Sequence, residues 1–315
     1  MSKKVVAFGG GSALPSLVLP ALKKLNLDIT TATSMTDNGG STGALRKEFG
    51  VHAMGDIRRH LLALSDAEDW KKELWKFRFA NDLVFEDGHK GHNFANVFIA
   101  GLEKITGDYE KTLAILHDFL KVKAQCFPAT EQKVELFAEL ENGDVIEGED
   151  PIDVARPNRD IKLKIVKIWL TPTANGYPKL IDAIGAADYI IIGPGDLYSS
   201  VLPCFLPKGI KEAIQSSKAK MIYTCNLLAK PGETYKFTAS DHVKEILKYT
   251  GRNKLDYLIA ADENLGKEYL KSKNMKEYYP VKIDSENLER LAHKIIVTDS
   301  TKVEEMQKTI KEITK

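Results

Sequence analysis

Cysteine is scarce in this sequence, and the residues present are too far apart for the common cysteine-based frameworks. The chain has three cysteines and no CxxC pair. A zinc knuckle places paired cysteines a few residues apart, and a small disulfide scaffold needs an even, dense set. The sequence therefore predicts neither, and widely spaced single thiols are typical of a reducing compartment. The cysteines are Cys126, Cys204 and Cys225.

Long hydrophobic runs are also lacking. No apolar stretch of the sequence approaches the roughly 20 residues that a membrane-spanning helix requires. Before its first glycines the chain offers only the run VVAF, which is too short for the core of a signal peptide. We therefore expect a soluble, cytoplasmic protein without a membrane partner.

An excess of charge of one sign is lacking as well. The 45 basic residues are balanced by 44 acidic ones, which leaves a formal net charge of +1. No strong global field would attract nucleic acid, so we expect no nucleic-acid partner. With 315 residues, 43% of them hydrophobic, the chain can bury a sizeable core, and we expect one domain over residues 1–315.

Short apolar runs rich in valine and isoleucine alternate with helical patterns along the chain. Runs such as VVAF, DYIIIG and LDYLIA are almost wholly apolar, which is typical of strands buried on both faces of a parallel sheet. We predict an α/β fold with a Rossmann-like, mostly parallel sheet and helices on both faces. The helices expected between the strands include Ile57–Leu64, Phe94–Ile105, Tyr177–Ala186 and His242–Tyr249.

Two segments depart from this regular alternation. The stretch KVELFAELENGDVIEGE has a period of two and contains Asn142-Gly143, which is a strong signal for a hairpin turn. We predict a small antiparallel hairpin insertion at about residues 131–170. Pro20 lies within the first predicted helix, Leu14–Leu25, and should kink that helix or delay its start.

Glycine-rich loops follow the first two predicted strands, at the sheet edge where α/β proteins bind ligands. Bare glycines let backbone N–H groups approach phosphate oxygens, although a simple tight turn would use the same residues. FGGGSALPSL fits the G-x-G-x-x-G pattern only in part, because Leu14 stands at the third glycine position. In TDNGGSTG, Asp37 stands where a dinucleotide fold places its ribose-binding carboxylate. The candidate contacts of these loops are Gly9, Gly10, Gly11, Ser12, Asp37, Asn38, Gly39, Gly40 and Ser41.

Two predicted helix starts offer further polar groups. In MGDIRRHLLALS, Asp56 either contacts the ligand or caps the helix, and Arg58 either contacts the ligand or faces solvent. In GHKGHNFANVF, His89 and His92 form a conceivable metal pair, but zinc needs three or four ligands and no third candidate is nearby. Cleft contacts and plain capping are the two alternatives for the polar residues that open this second helix. The candidates are Asp56, Arg58, His92, Asn93 and Asn96.

Two later strand ends complete the set. IIIGPGDLYSSVLP and TCNLLAKPGETYKFTASDHV place hydroxyls and bare amides directly after apolar strands, as a phosphate or ribose site requires. Tyr198 or Asn226 would then line the base or the sugar. Together with the earlier loops, these segments predict a ligand with a diphosphate, or with a phosphate and a sugar. The candidates are Gly193, Pro194, Gly195, Tyr198, Ser199, Ser200 and Asn226.

The order of these motifs resembles that of a known family. The chain contains GGGS, TDNGGSTGALR, MGDIRRHLLAL, GHNFANVFIAGL, GPGDLYSSVLP and CNLLAKPGETYKFTASDHV, which resemble the motifs of the YvcK-like branch of the CofD-like family. The resemblance implies a Rossmann-like core and a cytoplasmic bacterial protein, linked to gluconeogenic growth and cell shape, that binds a UDP-sugar such as UDP-N-acetylglucosamine. The sister branch of CofD enzymes transfers a 2-phospholactyl group from a nucleotide diphosphate, with magnesium. We expect a nucleotide sugar or dinucleotide as the ligand and a homo-oligomeric state.

One departure from the family pattern separates two hypotheses. The family usually has an Asp-Asp pair before the glycines, and here the pair is Asp37-Asn38. Loss of one charge weakens a magnesium site built from oxygen anions, which favours a regulatory binding protein with no certain cofactor. The alternative is a magnesium-dependent transferase, in which Asp37 is catalytic or holds the metal and Arg58 stabilises leaving-group charge.

Overall fold

Seven parallel strands form the central sheet in the computed structural model of this protein, which describes residues 2–79, 91–154, 159–275 and 277–315. Five shorter or peripheral strands form two small antiparallel sheets. The strands are β1 (Lys3–Phe8), β2 (Leu27–Thr33), β3 (Gln125–Pro128), β4 (Glu135–Leu140), β5 (Val145–Glu147), β6 (Ile165–Thr171), β7 (Tyr189–Ile192), β8 (Lys220–Thr224), β9 (Leu228–Ala229), β10 (Leu255–Ala260), β11 (Tyr279–Pro280) and β12 (Ala292–Val297).

The order of strands in the central sheet is β3-β2-β1-β7-β8-β10-β12. The chain first builds outward from β1 to β3, then returns to the other side of β1 with β7 and builds outward again. Every neighbouring pair is parallel. Such a reversal creates a crevice beyond the carboxyl ends of β1 and β7, where this class of fold binds ligands. The predicted Rossmann-like fold is confirmed.

The predicted helices are confirmed, with bounds that differ by at most a turn. The first helix begins as a π-helical turn, Leu14–Val18, and becomes α-helical only at Leu19. The α-helix thus starts later than the pattern alone suggested, as Pro20 indicated. The helices are α1 (Leu19–Lys23), α2 (Gly40–Phe49), α3 (Gly55–Leu64), α4 (Asp69–Lys76), α5 (Phe94–Thr106), α6 (Tyr109–Phe119), α7 (Glu149–Asp153), α8 (Pro178–Ala186), α9 (Ile210–Ser216), α10 (Ala239–Thr250), α11 (Glu263–Lys273), α12 (Ser285–Leu288) and α13 (Val303–Ile313).

Alternate residues of each central strand pack into cores on opposite faces of the sheet. In β1, Val5 and Ala7 belong to a core formed with α1, α3, α5, α6 and α13. Val6 and Phe8 belong to a second core, formed with α8, α9, α10 and the antiparallel strands β4 and β6. Each fully buried large aliphatic or aromatic side chain contributes about 1.5–3 kcal/mol to stability. These two cores fix the strand ends, and with them the loops of the crevice.

The hairpin insertion is confirmed as a three-stranded antiparallel sheet in the order β5-β4-β6. Its turn contains Asn142 and Gly143, and Gly143 has φ +88°, a conformation that glycine adopts at little cost. The apolar run IKLKIVKIWL contributes β6 to this sheet and not to the parallel one. Directly after β5 the short helix α7 begins. The helices that the structure describes are all too short or too polar to cross a bilayer.

Candidate functional site

Two adjoining clefts lie at the carboxyl ends of the central strands. The first, about 490 Å³, is called here the aromatic cleft. The second, about 430 Å³, is called the acidic cleft. Gly11 and Asp196 line both, so the clefts share a wall. The aromatic cleft is bounded by Ser12, Pro194, Asn226, Tyr269, Tyr278 and Thr301. The acidic cleft is bounded by Asp37, Asp56, Arg58, Glu149, Asp153 and Ser200.

The loop after β1 is packed against a carboxylate of the protein itself. The Gly11 N–H donates to Asp56 Oδ1 at 2.9 Å, and a β-carbon on Gly10 would lie 3.0 Å from Asp56 Cγ. Gly9 donates its N–H to the carbonyl of Ala32. Two of the three glycine amides are therefore already used by the protein. Of the four contacts predicted in this loop, residues 9–12, only Gly11 and the exposed Ser12 line a cleft.

Asp56 is the second residue of α3 and not its N-cap, so the capping alternative is wrong. Its carboxylate is 4% exposed and bonds both to the Gly11 amide and to Arg59. Burial raises the pKa of Asp56 to about 6. Asp56 thereby connects the start of α3 to the loop after β1, and it also lines the acidic cleft.

The loop after β2 opens onto the acidic cleft. Asp37 Oδ1 accepts a hydrogen bond from the Gly39 N–H at 3.1 Å, and α2 then begins at Gly40 without a side-chain cap. Gly39, Gly40 and Ser41 line the cleft. The first N–H groups of a helix have no partner within the helix, and the helix dipole favours an anion beside them. This turn can therefore accept a phosphate group.

Asn38 does not line either cleft. Its Nδ2 donates to Glu135 Oε2 at 3.3 Å, and its Oδ1 accepts from the Asp150 N–H at 2.9 Å. Both partners belong to the insertion. The structure thus gives Asn38 a positioning contact with β4 and α7, where the sequence predicted a contact with the ligand.

Arginine side chains form the basic part of the acidic cleft. Arg59 pairs with Asp56, and Arg78 donates to the Gly91 carbonyl at 2.7 Å. Arg58 is 9% exposed, lines the cleft, and its Nε has no hydrogen-bond partner among the described residues. Burial lowers the pKa of Arg58 to about 10, so the guanidinium stays charged at neutral pH. A buried, incompletely bonded cation at a cleft wall is suited to an anionic ligand.

The start of α5 supports the loop after β2. His92 Nδ1 lies 2.8 Å from Ser41 Oγ, and Asn96 Nδ2 donates to the same oxygen at 3.2 Å. Asn96 also lines the acidic cleft. Asn93 caps α5 through its Oδ1 and donates its Nδ2 to carbonyls at the end of α4. The capping alternative therefore describes Asn93, while His89 lies outside the described residues.

The loops after β7 and β8 are joined by an amide clamp. Asn226 accepts from the Gly195 N–H at 3.2 Å and donates to the Gly195 carbonyl at 2.7 Å. Gly193 donates its N–H to Phe8 at the end of β1. Pro194, Gly195 and Asn226 line the aromatic cleft. The two bonds to Gly195 shape the wall and use one donor and one acceptor site of the Asn226 amide, which leaves one of each for a ligand.

Tyr198 and Ser199 lie behind the clefts. Tyr198 is 1% exposed, belongs to the core beside β1, and contacts the ring of Phe237 edge-on. Burial raises the pKa of its phenol. Ser199 Oγ donates to Glu233 Oε1 at 2.9 Å, whereas Ser200 lines the acidic cleft. In IIIGPGDLYSSVLP the sequence could not reveal which hydroxyls face inward, because the segment after Asp196 is π-helical.

The acidic wall was missed by the sequence prediction. Helix α7 of the insertion brings Glu149, Asp150 and Asp153 to the cleft, opposite Asp37. Burial, followed by the charge of Asp37, raises the pKa of Glu149 to about 10. The signal in the sequence was the acid-rich run EGEDPID after the hairpin, but nothing in it indicated where the insertion packs.

Comparison with known proteins identifies relatives of the whole fold. Residues 5–301 match the family described as 2-phospho-L-lactate transferase CofD. The gluconeogenesis factor of Bacillus subtilis is 37% identical over 296 residues, which cover 93% of this chain and 89% of that protein. A relative from Nostoc is 40% identical over 299 residues, and the match spans 63% of that protein's length.

A solved structure is similar throughout. The crystal structure of a Bacillus halodurans protein, described as a member of the UPF0052 family, superposes with a TM-score of 0.87 at 33% identity. The alignment covers 100% of this chain and 99% of that one.

Proposed function

The chain belongs to the CofD family, and we propose that it is a regulatory protein, similar to the gluconeogenesis factors, that binds a nucleotide sugar. The observation that carries the proposal is the pair of adjoining clefts with different chemistry and a shared wall. A nucleotide sugar has the same division, with a flat base at one end and a hydroxyl-rich ring at the other.

The aromatic cleft suits the nucleoside. Tyr269 is 39% exposed and lies in this cleft with Tyr278, so aromatic faces are available for stacking on a base. Ser300 and Thr301 add hydroxyl groups that can both donate and accept hydrogen bonds. The amide clamp at Asn226 keeps the opposite wall in place.

The acidic cleft suits the phosphate and sugar. The uncapped start of α2 and the buried Arg58 offer donors and positive charge to a phosphate. Asp37, Glu149 and Asp153 offer carboxyl oxygens to sugar hydroxyls. UDP-N-acetylglucosamine is the ligand that the motif resemblance favours. A cytoplasmic location and a homo-oligomeric state remain predictions.

A transferase that uses a nucleotide-activated donor is the second candidate. The carboxylates around Asp37 and the buried Arg58 favour it, since such groups accompany phosphoryl-type transfer. Among the described residues, however, Asp37 is not part of a group of carboxylates at metal-ligand spacing. A magnesium ion at Asp37 would therefore need water or ligand phosphates to complete its coordination, and the dependence of binding on magnesium decides between the two candidates.

Calorimetric titration distinguishes the two candidates. We expect UDP-N-acetylglucosamine to bind without magnesium and more tightly than UDP, GDP or NAD, because it fills both clefts. Tyr278→Ala should weaken binding, and Tyr235→Ala, which changes a tyrosine outside both clefts, should not. Binding that requires magnesium, or turnover of a nucleotide-activated phospholactate, would replace the regulatory proposal with the transferase.

A further inference from the structure

Lys230 lies at the meeting point of three carboxylates. Its Nζ contacts Asp153 of α7, Asp196 Oδ2 at 3.1 Å and Glu233 Oε1 at 3.6 Å. Among the described residues, these carboxylates are the one group of potential metal ligands whose atoms lie within 4.8 Å of one another. An ammonium group has three N–H donors. Lys230 thus hydrogen-bonds to Asp153 and supplies positive charge to Asp196 and Glu233.

One side of this cluster is rigidly anchored. Glu233 is 1% exposed and accepts hydrogen bonds from the Tyr198 N–H at 2.7 Å, the Ser199 N–H at 3.2 Å and the Ser199 hydroxyl. Burial raises the pKa of Glu233 to about 8. Burial alone would lower the pKa of Lys230, but the charges of Glu233 and Asp196 raise it. Lys230 therefore stays charged and is held from the core side.

The other side of the cluster is the five-residue helix α7. Beyond the insertion, the Asp150 N–H bonds to Asn38, the Ser199 hydroxyl donates to Asp153 Oδ1 at 3.2 Å, and Ile152 is buried in the core. A helix this short has little intrinsic stability. The ion pair between Asp153 and Lys230 is thus a direct link from α7 to the core.

The ion pairs also form the partition between the two clefts. Lys230 lines the aromatic cleft, Asp153 lines the acidic cleft, and Asp196 lines both. A ligand that spans the clefts must pass this partition. Any shift of Asp153 would also move Glu149 and the rest of the acidic wall, because they share one helix.

We propose that Lys230 is a positioning residue, which sets the position of α7 by holding Asp153 and Asp196. The position of α7 in turn determines the shape of the acidic cleft, where the sugar end of a ligand that spans both clefts would bind. The part of this inference that concerns the ligand rests on the proposed nucleotide-sugar function. The part that concerns α7 does not.

The test compares two ligands on Lys230→Met. We expect UDP-N-acetylglucosamine to bind at least about tenfold more weakly, because α7 loses the ion pair that positions the acidic wall for the sugar. UDP, which lacks only the distal sugar, should change by less than about threefold. Lys230→Arg should retain most of the affinity. Lys244→Met, which removes an exposed ion pair with Asp241, is the matched control and should bind both ligands normally.

A second variant separates positioning from a general loss of stability. Lys230→Met combined with Asp196→Asn removes a carboxylate that the single variant leaves without its cation, and should recover part of the lost melting temperature. It should not recover affinity for the nucleotide sugar. Equal weakening of both ligands, full recovery of affinity in the double variant, or unchanged affinity in Lys230→Met would each overturn the proposal.

Hydrogen exchange tests the proposal without a ligand. The Asp150 and Val154 amides, which donate to Asn38 Oδ1 and to the Asp150 carbonyl, should exchange faster in Lys230→Met than in the parent protein or Lys244→Met. If the parent does not bind UDP-N-acetylglucosamine, the proposed function fails while faster exchange still supports positioning of α7. Unchanged exchange would overturn the role of Lys230 whatever the ligand.

Discussion

Gly10→Ala tests whether the first glycine loop serves the ligand or a carboxylate of the protein. A β-carbon there would lie 3.0 Å from Asp56 Cγ, closer still to Oδ2, and 3.3 Å from Ser200 Cβ. The Asp56 side chain must therefore turn away. Positive φ in this loop is confined to Gly9 and Gly11, so the backbone of Gly10 itself does not resist alanine. The cost falls on the contacts of Asp56.

The magnitude follows from those contacts. Asp56 is 4% exposed, accepts from the Gly11 N–H and pairs with Arg59. A hydrogen bond to a charged group is worth about 1.5–3 kcal/mol, and a buried carboxylate that loses its partners costs more. We expect Gly10→Ala to lower the free energy of unfolding by about 2–4 kcal/mol.

Urea unfolding measures this loss against a matched glycine. A β-carbon on Gly40 meets no heavy atom within 4 Å, but Gly40 has φ +47°, so Gly40→Ala should cost only about 1–2 kcal/mol of backbone strain. In an Asp56→Ala background, Gly10→Ala should cost little, because the clash is gone. If Gly10→Ala unfolds at the same urea concentration as the parent and loses only nucleotide affinity, Gly10 faces the ligand and the packing argument is wrong.

Further variants test the acidic wall and the polar residues that lie outside the clefts. The pKa of Glu149 in the folded protein is raised from 4.5 to about 10, so the free energy of unfolding of the parent falls as pH rises above 4.5. Glu149→Gln should be at least about 1 kcal/mol more stable than the parent at pH 8 and equally stable near pH 4. A stability difference that is the same at both pH values would contradict this. Tyr198→Ala should lower the free energy of unfolding by about 3–5 kcal/mol, as truncation of a buried aromatic side chain does, and calorimetric titration should show an unchanged ligand affinity. A variant of normal stability with reduced affinity would show that the ring contacts the ligand. Asn38→Asp places a carboxylate beside Glu135 and should lower the melting temperature, with no effect of magnesium on that temperature. If magnesium raises the melting temperature of the variant, residue 38 belongs to the ligand site.

The positions of the loops could be predicted from the sequence because they depend on local patterns. Apolar runs ending in glycine fixed where the strands stop, and Asn142-Gly143 fixed the hairpin. The partners of polar side chains could not be predicted in this way. Asn38 and Asn226 follow strands and Asn93 precedes a helix, yet each one's amide bonds to backbone groups. An amide satisfied by the backbone and an amide offered to a ligand have the same sequence signature.

Glycines around the acidic cleft make room for carboxylates of the protein itself, and this bears on what the cleft can hold. A β-carbon on Gly39 would lie 2.9 Å from Asp150 Oδ1, and one on Gly55 would overlap Asp37 Oδ2. The wall is therefore rich in acceptors that are already in place. Sugar hydroxyls can donate to such acceptors without a cation, whereas additional phosphates would be repelled. The buried guanidinium of Arg58 and the start of α2 provide for a limited number of phosphate charges. This balance favours a ligand with few phosphates and many hydroxyls, which is the composition of a nucleotide sugar and not of a nucleoside triphosphate.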